Sequence, residues 1–454
     1  LKSIQDTIVA PATPNGESAL AVIRISGPMC RDLIAQALRC MKPVPRRATL
    51  GNWRAQDGRL LDEVLWVYFP SPHSYTGDDV LEISIHGNPY IMEQLLQDLI
   101  LRGTRLADPG EFTRRAYLNR KMDLSQAEAV ADWIHARTDA ALQAARAQRE
   151  GAISREMALR CEELLEVIAW LEAYIDFPEE DLPDPDFSQP LSQLNQLLQR
   201  LQRLLESEER GRFLREGISV VLIGEPNVGK SSLLNALLRQ ERVLVSATPG
   251  TTRDYITEDL RIGDYRIRIT DTAGLRGDSD DPLEKLGMEA SLRQVESADL
   301  ILWVVDGSKE RSVDWIKIRA LLPENRWIQL LNKSDLGLHQ IWQEQDPLPC
   351  PRVVLSVRDG CGIAELETEI LRWIEERLPL PLPEQILLNA RHAHALRSAC
   401  AHLQICMDRL RSGHGIELVA EDLRETLRFF EEVVGIVDNE RMLDKLFANF
   451  CIGK

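Results

Sequence analysis

The stretch Gly224-Glu225-Pro226-Asn227-Val228-Gly229-Lys230-Ser231 sets two glycines, a lysine and a hydroxyl at the spacing G-x-x-x-x-G-K-S, with Ser232 following. Those residue types at that spacing suit a polyphosphate. Glycines let backbone N–H groups approach phosphate oxygens at a helix N-terminus, Lys230 neutralises charge on the β- and γ-phosphates, and Ser231 reaches a magnesium ion. The flanks are those the motif requires, with the apolar run Ser219 to Ile223 before it and a helical pattern, Ser232 to Leu238, after it.

Four further parts fall in place along the chain. Asp271-Thr272-Ala273-Gly274 follows the strand-like run Tyr265 to Ile269, so that a carboxylate at a strand end can hold a magnesium-bound water and the Gly274 amide can meet a γ-phosphate. Upstream, Gly250-Thr251-Thr252-Arg253-Asp254 offers Thr252 as a second hydroxyl ligand to magnesium. Downstream, Asn332-Lys333-Ser334-Asp335 follows the apolar run Ile328 to Leu331. Asp335 can accept from the N1–H and 2-amino hydrogens of guanine, a donor pair that adenine lacks. Ser356-Val357, after Val353 to Leu355, would bring a backbone amide to the guanine O6. In this order the parts describe a small GTPase. One departure carries mechanism: where Ras-like proteins use a glutamine to orient the attacking water, this chain has Leu275. An apolar side chain cannot do that work. Asp278, Asp280, Asp281, Glu284 and Glu289 in the next segment are candidates, each of which is otherwise a solvated loop charge.

The elements that must position these residues are legible in outline. From Gly217 to about Leu378, strands alternate with helices, the pattern of a doubly wound, mostly parallel sheet. Ahead of it, Asp6 to Arg120 mixes β-branched runs such as Val80 to Ile85 with helical patterns, an α+β domain. Ser125 to Phe177 reads as one long helix opened by a capping box of Ser125 and Glu128. Leu191 to Leu205 is a second helical run, and helix resumes after the proline-rich hinge Leu378 to Pro383. The expected architecture is multidomain: an α+β domain over 1–120, an all-α domain over 121–215 and 380–454, and a P-loop GTPase domain over 216–379 inserted in the helical one.

Composition bounds the partners. The 454 residues carry a formal net charge of −17, which excludes a uniformly basic grip on nucleic acid. The acidity is uneven: residues 1–120 sum to +1, whereas 121–215 and 216–379 each sum to −8 and 380–454 to −2. Contact with RNA would therefore be local and salt-sensitive. No window is apolar enough to span a membrane, and Leu1 to Ala10, with Lys2 and Asp6, has no signal-like core, so a cytosolic protein is expected. The eight cysteines are scattered, with no Cys-x-x-Cys pair, and suggest neither a disulfide framework nor a zinc ribbon. His392, His394, Cys400, His402 and Cys406 invite a metal reading, but only His402 and Cys406 share a helix face, which is too few for a zinc site. The terminal Cys451-Ile452-Gly453-Lys454 has a nominal prenylation shape but an atypical last residue and no polybasic stretch before it.

Taken together, Gly224 to Ser232, Gly250 to Asp254, Asp271 to Arg276 and the tail Phe450 to Lys454 resemble the tRNA modification GTPase family MnmE (TrmE). The likeness extends to Asp6 to Ala10, Arg24 to Pro28, Ser74 to Gly77 and His86 to Pro89. The resemblance implies a homodimer with a tetrahydrofolate-binding N-terminal domain. It also implies a flavoprotein partner (MnmG, or GidA), with which the family installs a carboxymethylaminomethyl or aminomethyl group at C5 of the wobble uridine (position 34) of certain tRNAs. The one-carbon unit would come from a 5-formyl or 5,10-methylene folate. GTP hydrolysis in the family is activated when two G domains meet across a potassium ion. Carried over, Asn227, Ser246, Thr248 and Thr251 are the expected potassium residues and Glu284 the water-orienting catalytic residue. Arg24, Glu82, Lys121 and Lys454 are expected around the folate, with Cys451 a candidate for the modification chemistry. A ribosome-assembly GTPase or a regulatory-switch GTPase is the alternative, sharing the nucleotide site but leaving the N-terminal domain and the tail without a role.

Overall fold

The computed structural model of the chain describes residues 6–176, 186–240, 257–271, 295–323, 325–343, 350–378, 386–412 and 415–435, together with 443, 446–448, 450 and 453. It resolves into two compact units, one of Leu1–Ile134, Ala145–Gln199 and His394–Lys454, the other of His135–Ala144 and Arg200–Ala393. Among the described residues no helix is long and apolar enough to cross a membrane.

In the first unit, β1 (Ile8–Pro11), β2 (Ser18–Ser26), β3 (Thr49–Arg54), β4 (Leu60–Phe69), β5 (Val80–Gly87) and β6 (Arg105–Leu106) form one sheet in the order β3-β4-β5-β2-β1-β6. All neighbours are antiparallel except β1 and β6. Period-two alternation decides which face is buried: Ile23, Ile25, Val64, Trp66, Leu81, Ile83 and Ile85 pack under the helices Cys30–Ala37 and Pro89–Leu101. The residues between them, Arg24 and Glu82, stand opposite each other on the other face. The second helix is set by Asn88, whose side-chain oxygen accepts the Tyr90 amide at 2.8 Å, with Pro89 at the first helical position.

The single helix expected from Ser125 to Phe177 is three: Leu124–His135, Asp139–Arg149 and Ala152–Asp176. Thr138 caps the second by accepting the Ala141 amide at 3.2 Å, and Gly151 at φ +84° separates the second from the third. The expected capping box is displaced as well. Asp123 accepts the Gln126 amide at 2.8 Å and Gln126 accepts the Asp123 amide at 3.0 Å, while Ser125 donates to Asp123. A carboxylate serves the positive end of the helix better than the serine two residues on. The closing helix Ile416–Val434 ends at Gly435, whose carbonyl accepts the Tyr117 hydroxyl. Beyond it Phe447 and Phe450 pack with Leu124, and a side chain at Gly110 would lie 2.9 Å from the Phe447 carbonyl.

The second unit holds β7 (Ile218–Ile223), β8 (Thr257–Ile262), β9 (Tyr265–Asp271), β10 (Leu300–Asp306), β11 (Trp327–Asn332) and β12 (Arg352–Val354) in the order β12-β11-β10-β7-β9-β8. Only β8 runs antiparallel to its neighbour. The near-continuous apolar runs of β10 and β11 are buried on both faces, as a helix-covered parallel sheet requires. This is the doubly wound arrangement the sequence predicts.

An ionic knot centred on the buried Arg115 and Glu111 closes the first sheet. Arg115, 1% exposed, donates to the Asp6 carboxylate at 2.7 Å and to Glu111 at 2.9 Å, and Arg105 donates to Glu111 at 2.6 Å. Burial pushes the Glu111 carboxyl up, but the hydrogen bonds from Arg105, the Asp108 amide and Arg115 outweigh it and hold the carboxyl below its usual range. Because the folded value lies below the unfolded one, this contribution is complete above the unfolded value, about 4, and is lost as pH falls through the folded one. The urea midpoint should therefore fall between pH 6 and pH 3, and fall less in Glu111→Gln. Arg115→Met should cost about 3–5 kcal/mol, read by the same urea titration at pH 7.

Candidate functional site

The phosphate loop joins β7 to the helix Lys230–Gln240. Its backbone explains its residues. Gly224 sits at φ +145°, and a side chain there would lie 2.1 Å from the Val304 carbonyl. Asn227 holds φ +61°, a conformation Asn tolerates better than most residues, and is exposed. Gly229, at φ +101°, approaches the Asn332 side chain so closely that a Cβ would lie 2.4 Å from its Nδ2. The Lys230 ammonium donates to the Gly224 and Glu225 carbonyls at 2.9 and 2.8 Å, which holds it against the loop's own backbone. Ser231 and Ser232 are exposed in the first turn of the helix, and Val228 is buried beneath the loop.

The base-reading residues come from the ends of β11 and β12, and one side chain ties them to the phosphate loop. Asn332, itself buried, donates from Nδ2 to the Val228 carbonyl at 2.7 Å and accepts the Val357 amide at 3.2 Å. Asp335 accepts the Ser356 hydroxyl at 2.9 Å, and Ser356 in turn accepts the Asp359 amide at 3.2 Å. The carboxylate that would take guanine's two donors is thus oriented by the neighbouring loop. Lys333 is held at φ +65°, and its ammonium bonds Asp306 at 2.7 Å. Burial pushes the Asp306 carboxyl up, but Lys333 and the Ser308 hydroxyl and amide outweigh burial and hold it below the usual carboxylate range. Sequence reasoning passed over Asp306. The signal available was an aspartate ending an apolar strand at the carboxyl edge of a parallel sheet, where ligands of this fold bind.

Asp271 ends β9 in register with Leu222. Ser246, Thr248, Thr251, Thr252, Thr272, Ala273, Gly274 and Glu284 lie outside the described residues, as do Cys451 and Lys454.

A second constellation stands on the open face of the first sheet. Arg24 donates to Glu82 at 2.8 Å and to the Gly453 carbonyl at 3.1 Å, and its guanidinium lies 5.6 and 5.9 Å from the ring centres of Tyr75 and Phe112. The C-terminal segment reaches this place because Gly453 adopts φ +97°, where a Cβ would lie 2.1 Å from the Pro11 carbonyl. Glu82 uses only one carboxylate oxygen on Arg24, which leaves acceptor capacity of the kind a pterin's amide and amino edge requires, and the Tyr75 ring flanks the Arg24 guanidinium while Phe112 backs it from the core. Lys121 is exposed and bonds the Pro72 carbonyl at 3.0 Å. Neither ring was singled out from the sequence, although Tyr75 lies within Ser74 to Gly77.

The His/Cys segment after Arg391 arranges itself otherwise. His392 is buried, the His402 ring lies tilted by 54° with its centre 4.9 Å from that of Phe429, and burial pushes the Cys406 thiol up to about 12. Among the described residues no group of three His, Cys, Asp or Glu side chains is placed to hold a metal ion.

A glycine-rich phosphate loop between a buried parallel strand and a helix, tied to an aspartate placed to read guanine, defines a P-loop GTPase, and the protein is a GTP hydrolase. Comparison with known proteins narrows the class. The family model for the MnmE helical domain matches residues 124–451, and that for the GTP-binding protein TrmE N-terminus matches residues 7–121. The chain is 47% identical over 452 residues to the tRNA modification GTPase MnmE of Opitutus terrae, covering 99% of each. It is 41% identical to the protein of that name from Akkermansia muciniphila, again over 99% of each. With that from Aquifex aeolicus it shares 39% over 99% of this chain and 100% of the relative. The chain belongs to the tRNA modification GTPase MnmE family.

Asp335→Asn replaces an acceptor of two hydrogen bonds by a group that must also donate. GTP affinity should fall by about 10²-fold, from about 3 kcal/mol for two charge-assisted bonds, and xanthosine triphosphate should gain. Titration of a fluorescent nucleotide with each competitor measures both.

Proposed function

We propose that the protein is a potassium-dependent GTPase that, with a flavoprotein partner of the MnmG (GidA) kind, modifies C5 of the wobble uridine of certain tRNAs to the carboxymethylaminomethyl or aminomethyl form in the cytoplasm. The observation that carries the reading is the pairing, on one chain, of the Asn332-centred nucleotide site with the Arg24–Glu82 site reached by the C-terminal Gly453 carbonyl. A ribosome-assembly or purely regulatory GTPase would have no use for the second.

In this reading residues 1–120 bind folate, 121–215 with 380–454 form the helical domain, and 216–379 form the G domain of a homodimer. Lys230 neutralises the β/γ-phosphates, and Ser231 and Thr252 supply hydroxyls to magnesium, with Asp271 holding one of its waters. Asn227, exposed at the crest of its loop, joins Ser246, Thr248 and Thr251 around potassium. A monovalent cation there would stabilise charge on the transferring phosphoryl group, as an arginine finger does elsewhere. Glu284 orients the attacking water that Leu275 cannot. At the folate site Glu82 accepts from the pterin, Arg24, Lys121 and Lys454 hold the anionic parts, and Cys451 takes part in the modification.

Two measurements test these roles. Steady-state GTP hydrolysis should be faster in potassium than in sodium, and Glu284→Ala should lose it with nucleotide affinity unchanged; an active Glu284→Ala protein removes that assignment. Glu82→Gln should weaken 5-formyltetrahydrofolate binding at least tenfold by calorimetry, through loss of a charge-assisted bond, while GTP hydrolysis is unaltered.

A further inference from the structure

We infer that the loop between the helix Cys30–Ala37 and β3 is a docking surface for the phosphate backbone of tRNA. The inference rests on the reading of tRNA as substrate and names the surface that reading left unplaced. In a chain of net charge −17, residues 33–56 contain Arg39, Lys42, Arg46, Arg47 and Arg54 and no aspartate or glutamate. Arg39, Lys42, Arg46 and Arg47 are exposed. None of the five has an ion-pair partner among the described residues, whereas the arginines around them are neutralised: Arg31 by Asp79 at 3.7 Å, Arg59 by Asp57 at 3.8 Å and Arg102 by Asp98 at 2.8 Å. The described acids of the adjoining segment are themselves engaged, Asp79 by Tyr68 and the Ser71 amide and Asp78 by Asn119. A local positive patch among otherwise paired charges concentrates a polyanion upon itself.

The loop is also held in shape. Arg39 and Arg46 both adopt left-handed backbone, at φ +53° and +58°, which non-glycine residues keep only where surroundings impose it. Pro43 and Pro45 stiffen the segment between them. Arg46 is pinned twice, its amide donating to the Tyr68 carbonyl at 2.8 Å and its guanidinium to the His73 carbonyl at 2.6 Å. Met41, 81% exposed, and Val44, 52% exposed, lie among the cations and offer apolar contact to ribose or base.

Position gives the surface its use. The segment Pro70 to Gly77 meets Arg46 at His73 and Arg24 at Tyr75, whose ring centre is 5.6 Å from the guanidinium. Only Ser74 separates those points, at most about 7 Å of chain. A tRNA held on the cationic loop therefore has its nucleotides beside the Arg24–Glu82 site.

The test uses the full-length protein and labelled tRNA in fluorescence anisotropy from 50 to 200 mM salt. Each lost phosphate contact flattens the log–log salt slope by about 0.7–0.9, so Arg39→Ala/Lys42→Ala/Arg47→Ala should reduce it by about 2–3 and weaken binding about 10²-fold at 0.1 M salt. Arg39→Lys/Arg47→Lys should keep most of the affinity, and GTP hydrolysis by the triple variant should match wild type, showing that it is folded. Wild-type affinity and slope in the triple variant overturn the surface and leave the tRNA reading standing. If wild type hydrolyses GTP yet fails to bind tRNA at any salt, the tRNA reading falls and the inference with it. If the triple substitution abolishes co-sedimentation with phosphatidylglycerol vesicles while sparing tRNA binding, the loop serves a lipid surface and the inference is overturned.

Discussion

The nucleotide half of the molecule depends on one side-chain amide. Asn332 donates to a carbonyl of the phosphate loop and accepts an amide of the loop that follows β12, so three motifs distant in sequence form one rigid unit. The Asn332 side chain is buried, where an unmet amide would be costly, and the geometry is therefore sharply defined. Gly229 is glycine because that amide stands where its side chain would be. Asp335 and Lys333 are oriented from the same scaffold through Ser356 and Asp306, so guanine recognition and phosphate binding are set by adjacent strand ends of one parallel sheet.

The first unit solves a similar problem with different means. Its functional face is the one left open when period-two alternation buries the other beneath two helices, and the Gly453 carbonyl meets Arg24 on that face. Gly110, Gly435 and Gly453 admit the close approach of Phe447 and Phe450, of Leu124 and of the Pro11 carbonyl respectively, and Arg24 collects Glu82, the Gly453 carbonyl and two rings. The knot of Asp6, Arg105, Glu111 and Arg115 fastens β1 and β6 beside it.

Much of this was legible in the residues. The apolar runs Ser219 to Ile223, Ile328 to Leu331 and Val80 to Ile85 are strands because continuous or alternating β-branched residues have few other stable fates. The helical stretch after Ser125 was harder: helical periodicity survives a short break, so Thr138 and Gly151 divide what hydrophobic spacing alone joins. The cap was misplaced because a serine followed by glutamate matches the box as a string, whereas the backbone chose Asp123 with Gln126.

By itself the sequence determined the chemistry: a lysine and hydroxyl for phosphate, a carboxylate for guanine, an apolar residue where a glutamine would orient water, and a cationic stretch within an acidic chain. Those follow from residue type and local spacing, which survive without coordinates. Only the tertiary structure decided which distant groups complete one another: Asn332 with Val228 and Val357, Asp306 with Lys333, Arg24 with Glu82 and Gly453, and Arg46 with His73. Such pairings are made across 25 to 429 residues by strand order and by where a missing side chain lets two backbones meet, and no local pattern encodes them.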